Sequence, residues 1–182
     1  SAESFFPGKG TPTTQIDMKR FDLMHQINTR GTFMVSKYAI PHLEKAENPH
    51  ILMLSPPLDM QEKWFAPHLA YSLAKYGMSL CVLGHAEEFR ADGIGVNALW
   101  PRTVIMTAAI AMLPGVSGRA GQLRKPGIVA DAAHAILVRD PRNCTGRFFL
   151  DEEALAEAGV TDLAGYAVEP GRADLMPDLF LD

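Results

Sequence analysis

The sequence predicts an α/β fold in which parallel strands alternate with helices. Two short apolar runs, residues 50–54 and 95–100, are typical of strands buried on both faces, and residues 147–150 form a third run. Segments with helical spacing of apolar residues separate these runs. In open parallel sheets, ligands bind beyond the carboxyl ends of the strands, so we expect the functional residues at that edge.

Residues 1–14 are rich in Pro and Gly and are predicted to form a loop. The run Gly8-Lys9-Gly10-Thr11 within it lacks the first glycine of a phosphate loop and has no strand before it, so we interpret it as loop. A short helix is predicted over residues 16–26, with Thr14 or Asp17 as its N-cap.

A longer helix is predicted to reach residue 45, separated from the first helix by the polar residues 28–31. We expect it to bend at Pro41, because proline removes one backbone donor. Its candidate buried residues are Phe33, Val35, Tyr38, Ile40 and Leu43. Residues 58–67 are predicted to be loop, and the long helix over residues 68–89 follows.

The second half of the chain carries shorter predicted elements. Residues 114–127 read as a glycine-rich surface loop, with Arg119, Arg124 and Lys125, that could close over a site as a lid. The other elements are helices over residues 107–113, 128–138 and 151–159 and an irregular tail over 160–182. We interpret the acidic residues of the tail as a solvated surface.

Composition excludes several classes of protein. The 182 residues fit one domain, and a hydrophobic content of 47% supports a packed core. The net charge is −4 without a basic stripe, so no nucleic acid is expected, and no apolar run reaches the ~18 residues of a membrane span. Cys81 and Cys144 lie far apart and indicate no disulfide framework, so a reducing compartment is expected. No His or Cys spacing indicates a metal site.

Tyr71 and Lys75 are the first candidates for chemistry. They lie four residues apart on the helix predicted over residues 68–89, so they share one face. An ammonium beside a phenol favours the phenolate and is expected to lower the pKa of tyrosine from about 10. Such a tyrosine can exchange a proton with an alcohol or carbonyl. Two ordinary surface residues also produce this spacing, so the pair alone does not show that the site is catalytic.

Four elements in order carry a resemblance to a known family. They are Asn28, a strand ending in Ser55, the motif Tyr71-x-x-x-Lys75, and Val96-Asn-Ala-Leu-Trp-Pro101 followed by threonines. From about residue 14 to its end the chain resembles the short-chain dehydrogenases/reductases. The resemblance implies the carboxyl-terminal half of a doubly wound, Rossmann-like parallel sheet flanked by helices, as a single domain.

The resemblance also implies catalytic roles in the interconversion of an alcohol and a carbonyl. Tyr71 would donate or accept the proton, and Lys75 would hold the nicotinamide ribose and keep the tyrosine acidic. Asn28 would position a water in a proton relay. Ser55 would bind the substrate oxygen, although in the usual alignment that role falls on Pro56, which has no hydroxyl.

The implied cofactor is NADP or NAD, with Tyr71 and Lys75 at its nicotinamide end. The segment after Pro101 would face the nicotinamide and its carboxamide. The family's Pro-Gly pair is Pro101-Arg102 here, so the choice between Thr103 and Thr107 stays open.

Nothing in residues 1–31 matches the family's amino-terminal half, which supplies the first strands and the glycine-rich turn for the pyrophosphate. The strand over residues 50–54 would then have an unpaired edge. We therefore expect either a piece of a longer enzyme or a sheet completed by another chain.

The family's assembly implies a homodimer or homotetramer through helices 28–46 and 68–89, acting on a small-molecule carbonyl or alcohol in the cytoplasm, or in peroxisomes or mitochondria as for some relatives. The alternative is a truncated, non-catalytic module that keeps only the oligomerisation helices.

Overall fold

A computed structural model describes residues 11–112 and 118–181. The helices and strands in these ranges are α1 (Met18–His25), α2 (Gly31–Leu43), β1 (His50–Leu54), α3 (Leu69–Glu88), β2 (Gly95–Trp100), α4 (Ala108–Ala111), α5 (Gly127–Leu137), β3 (Phe148–Leu150) and α6 (Asp151–Glu157). The run at residues 8–10, the last residue of the helix predicted over 107–113, and residues 114–117 of the predicted lid lie outside the described residues.

The three strands form one parallel sheet in the order β1-β2-β3. His50 pairs with Gly95 at the start of the first ladder, and Ala98 pairs with Phe148 at the start of the second. Helices connect the strands, as parallel pairing requires. The predicted α/β class with parallel strands is therefore confirmed.

Helices cover both faces of the sheet. Val96 and Ala98 of β2 pack toward α2 and α3, in a cluster with Ile40 and Val82. Leu99 points to the opposite face, where it packs with residues of α5, β3 and α6. All six residues of β2 are buried, as the sequence predicted for this strand.

The first strand differs from its prediction. Leu54 is 51% exposed, and only Met53 of β1 is buried, so burial on both faces is wrong for this strand. The reason is its position: β1 is at the edge of the sheet and pairs only with β2 among the residues that the structure describes.

Three apolar side chains of α2 are also less buried than predicted. Phe33, Val35 and Tyr38 are 55%, 65% and 67% exposed, whereas Ile40 is buried. A helix packed on one side of a sheet buries only one face, and these three residues lie outside that face.

The helical backbone continues through the residues that were predicted to interrupt it. Asp17 caps α1 by accepting the N–H of Lys19 at 3.0 Å, and a π-helical turn, Gln26–Arg30, joins α1 to α2. Thr29 of this turn donates a hydrogen bond to the carbonyl of Ala74 in α3. A Cβ at Gly77 would overlap the Thr29 side chain, so this close approach requires glycine.

The segment before α5 is only partly the surface loop that was predicted. Leu123 is completely buried and Arg124 is 7% exposed, with an ion pair from Arg124 to Glu152. The backbone of Arg124 bonds to Val104 and Met106, which fixes this segment against the chain that follows β2. No helix within residues 11–112 and 118–181 is long and apolar enough to cross a membrane.

Candidate active site

Tyr71 and Lys75 line one cavity of about 990 Å³ beyond the carboxyl ends of β1 and β2. They stand one turn apart on α3, as the spacing predicted. Pro101 and Thr107, from the chain after β2, line the same cavity. The structure therefore brings together four of the residues that the sequence singled out.

Hydrogen bonds from α3 to the loop after β1 hold this part of the site in place. Ser72 Oγ donates to the carbonyl of Trp64 at 2.6 Å, and Tyr76 Oη donates to that of Asp59 at 2.5 Å. Ser79 Oγ donates to the carbonyl of Pro56 at 2.7 Å. These bonds fix α3, which carries Tyr71 and Lys75, against the loop after β1.

The Tyr71 phenol is nearly enclosed. Its residue is 9% exposed, and its ring stacks on Phe180 with 6.1 Å between centroids and 10° between planes. Burial raises its pKa above the usual value, and the nearby Asp178 raises it further. The predicted lowering by Lys75 is therefore wrong, because burial disfavours the charged phenolate and the negative charge of Asp178 acts in the same direction.

Lys75 is partly buried beside the same cavity. Its Nζ lies 5.6 Å from the centre of the Trp100 ring and 3.9 Å from Met78 Sδ. Burial lowers its pKa, and the opposite charge of Asp178 counteracts part of that effect. The amine thus lies near the aromatic face of Trp100 and is influenced by the charge of Asp178.

The carboxyl group comes from the tail, which sequence reasoning had assigned to the solvated surface. Residues 177–181, here called the strap, pass beside the cavity, and Asp178 lines it. Burial raises the pKa of Asp178 to about 7. The interpretation of this acid as solvated is wrong. The apolar residues around it, Leu179 and Phe180, were the available signal that this part of the tail is packed.

The two threonines after β2 occupy different places. Thr107 lines the cavity at the start of α4, where its Oγ1 accepts the N–H of Ile110 at 3.2 Å. Thr103 is 6% exposed, and its Oγ1 has no hydrogen-bond partner among the described residues. Of the two candidates left open by the sequence, Thr107 is the one on the cavity.

Ser55 and Asn28 lie outside the residues that line this cavity. Ser55 is completely buried just after β1, and its Oγ has no hydrogen-bond partner in the described part of the chain. Asn28 is in the π-helical turn, where its Nδ2 donates to the carbonyl of Met24 at 2.9 Å. Met24 itself lines the cavity, and Asn28 follows Met24 by one helical turn.

The residues present fit one end of a nicotinamide cofactor. An amine at Lys75, a hydroxyl at Thr107 and the apolar surface of Trp100 suit a ribose and an aromatic ring. The helices that follow the described strands begin at Leu69, Ala108 and Asp151, and none of these starts is a glycine-rich turn for a pyrophosphate.

Comparison with known proteins shows the family to which the chain belongs. The family model described as Enoyl-(Acyl carrier protein) reductase matches residues 4–137. Hydroxysteroid dehydrogenase-like protein 2 of Danio rerio is 56% identical over 172 residues. The chain belongs to the short-chain dehydrogenase/reductase family. The alignment with the Danio rerio protein covers 94% of this chain but only 40% of the length of that relative.

Solved structures of the family share the fold. A short-chain dehydrogenase from Mycobacterium thermoresistibile is 46% identical with a TM-score of 0.87, covering 98% of this chain and 62% of that one. The angucycline C-6 ketoreductase LanV with bound NADP is 17% identical with a TM-score of 0.61, covering 81% and 59%. The predicted Rossmann-like sheet flanked by helices is thereby confirmed.

Proposed function

We propose that this chain is the catalytic part of an oxidoreductase that uses NADP or NAD to interconvert an alcohol and a carbonyl. The observation that carries the proposal is the shared cavity of Tyr71, Lys75, Pro101 and Thr107. A proton-transferring group, a cation and a threonine at one strand edge are what such a reaction requires.

Tyr71 is the proposed proton donor in the reducing direction. The raised pKa keeps its hydroxyl protonated, which suits a group that must give a proton to the substrate oxygen. When bound, the nicotinamide supplies or accepts the hydride at the substrate carbon. In the oxidising direction the phenolate takes the alcohol proton, and the positive charge of Lys75 stabilises it.

Lys75 is also proposed to bind the nicotinamide ribose, with Pro101 and Thr107 facing the carboxamide. Thr103 remains a second choice for that contact. The roles proposed for Asn28 and Ser55 rest on the family pattern: Asn28 would hold a water of the relay, and Ser55 would require a shift of its side chain to reach a substrate.

The proposed substrate is an apolar alcohol or ketone. Most of the cavity wall is aliphatic or aromatic, and the polar groups are concentrated near Tyr71 and Lys75. The side chains of Leu52, Leu54, Val104, Ile105, Ile110 and Val129 contribute to this wall. The name of the relative from Danio rerio mentions hydroxysteroids, which are apolar alcohols of this kind.

Cofactor titration tests the role of Lys75. Saturation-transfer NMR with NADP and NAD should detect saturable binding to the protein, and Lys75→Ala should weaken it at least tenfold, about 1.4 kcal/mol. The control is Lys19→Ala, since Lys19 is an exposed lysine of α1 outside the cavity. Equal affinity in both variants would contradict the proposed ribose contact.

We further propose that copies of the chain associate through α2 and α3, as a homodimer or homotetramer. The support is a group of exposed apolar side chains on these two helices. Single exposed apolar residues are common on protein surfaces, whereas groups of them mark interaction sites. They are Phe33, Met34, Val35 and Tyr38 of α2 and Leu69, Leu73, Leu80 and Leu83 of α3.

A pair of matched valines tests this association. Val35→Glu should shift the mass of the protein in solution to that of the monomer, because a carboxylate would be buried in the contact. Val138→Glu should leave the mass unchanged, since Val138 is equally exposed, at 63%, but lies at the end of α5. Light scattering measures the mass of each variant. If Val35→Glu kept the mass of the unchanged protein, this interface would be excluded.

The second candidate function is a non-catalytic binding module of the same fold. The exposed apolar residues of α2 and α3 would equally support it. Association that persists while neither nicotinamide cofactor binds would favour this alternative over the enzyme.

A further inference from the structure

The strap, residues 177–181, is held against the chain that follows β2. The N–H of Asp178 donates to the carbonyl of Arg102 at 3.0 Å, and Trp100 Nε1 donates to the carbonyl of Leu179 at 2.9 Å. The N–H of Val104 also donates to the carbonyl of Met176 at 2.9 Å, so that Pro177 and Thr103 form an antiparallel bridge. Three hydrogen bonds therefore fix the strap beside the cavity.

Phe180 anchors the strap in the aromatic cluster under Tyr71. It has a φ of 68°, an unfavourable conformation for a bulky L residue, and is only 2% exposed. Its ring centre lies 5.2 Å from that of Tyr76 and 6.0 Å from that of Trp100, in addition to the stack on Tyr71. These contacts retain the residue despite its backbone conformation, so the position of the strap is well determined.

This anchoring turns Asp178 toward the cavity that Tyr71 and Lys75 line. Its Oδ1 accepts the N–H of Leu179 at 2.8 Å, which orients the carboxyl group. The titratable groups that face it are Lys75 and Tyr71 from α3 and Asp151 from the start of α6. Lys75 favours its ionised form, whereas burial and Asp151 disfavour it.

We propose that Asp178 is a positioning residue of the acid–base site: its charge keeps Lys75 protonated and opposes the loss of the Tyr71 proton. An ionised Asp178 stabilises the ammonium of Lys75 and opposes the phenolate of Tyr71. A protonated Asp178 leaves the ammonium uncompensated, so the phenolate becomes more favourable. The inference rests on the roles proposed above for Tyr71 and Lys75.

The pH of half-protonation of Lys75 tests the proposal without cofactor or substrate. Reductive methylation with ¹³C-formaldehyde gives each lysine an NMR signal, and Lys75→Arg identifies the signal of Lys75. In Asp178→Asn the midpoint of Lys75 should fall by about one pH unit, a tenfold weaker affinity for the proton. Asn has the shape of Asp and can still accept the N–H of Leu179, so packing of the strap is retained.

Two variants separate charge from packing. Asp174→Asn removes an exposed acid of the same tail, which pairs with Arg172, and should leave the midpoint of Lys75 unchanged. In Asp178→Glu, which keeps the negative charge, the midpoint of Lys75 should stay close to its value in the unchanged protein. A purely structural role for Asp178 would predict no shift in Asp178→Asn, and that result would overturn the proposal.

The reciprocal measurement keeps the test decisive if Asp178→Asn does not fold. The carboxyl carbon of Asp178 should titrate near pH 7 in the unchanged protein and at higher pH in Lys75→Met, because coupling between two sites is mutual. An unchanged midpoint would refute the coupling. Failure of cofactor binding would contradict the proposed function but leave this coupling measurable, so the two outcomes are distinguishable.

Discussion

Replacing Tyr71 by Phe is expected to lower kcat by about 10²- to 10⁴-fold, the usual contribution of a general acid or base. The change removes one oxygen and keeps the ring that stacks on Phe180, so packing should be nearly unaffected. The loss should appear in kcat with little change in cofactor affinity, because the role proposed for the phenol is at the reacting oxygen and not in cofactor binding. The rate is followed as the consumption of NADPH with an apolar ketone as substrate.

Tyr76→Phe is the matched control for this prediction. Tyr76 is on the same helix and also packs against Phe180, but its hydroxyl donates to the carbonyl of Asp59 and does not line the cavity. Its loss should reduce stability by about 1 kcal/mol, as for an ordinary hydrogen bond, and leave kcat near that of the unchanged protein. Similar rates in both variants would show that Tyr71 is not the proton donor.

Phe149→Ala is expected to lower the free energy of unfolding by about 3–5 kcal/mol, the range for a buried aromatic residue replaced by alanine. Phe149 is 2% exposed in β3, within the cluster that joins the sheet to α5 and α6. The guanidinium groups of Arg147 and Arg139 lie 4.1 and 5.0 Å from its ring centre, so the change also removes the surface on which they rest. Urea unfolding followed by circular dichroism measures the loss.

Phe149→Leu is the control, because it refills most of the space and should cost only about 1 kcal/mol. If the free energy of unfolding fell less in the alanine variant than in the leucine variant, the explanation by a cavity would fail. The packing of β3 would then depend on its backbone ladder and on the ion pairs of Arg147 and Arg139 with Glu157.

The parts of the fold that depend on local pattern could be predicted from the sequence. The buried strand predicted over residues 95–100 is β2, and four-residue spacing put Tyr71 and Lys75 on one face of α3. The apolar pattern of residues 50–54 did not show that Leu54 is exposed, but its exposure agrees with the unpaired edge that was expected for this strand, since β1 is at the edge of the sheet within the described residues. The same limit applied to Phe33, Val35 and Tyr38, since an apolar helix residue can face either a core or a partner.

The site was less predictable than the fold because its electrostatics depend on contacts between distant parts of the chain. Asp178 reaches the surroundings of Lys75 only after the strap has packed against the segment that follows β2. The direction of the Tyr71 pKa shift reverses for the same reason, since the strap supplies both the enclosing ring of Phe180 and the added negative charge.

The parallel ladder has a consequence for how the chain folds. His50 must find Gly95, and Ala98 must find Phe148, so neither strand pair can form from adjacent residues. Each pairing closes a long loop, whose entropy is lost before any hydrogen bond is gained. We therefore expect the sheet to assemble late and slowly compared with proteins whose contacts are local. Until β2 is flanked on both sides, its unpaired backbone N–H and C=O groups are open to pairing with another molecule.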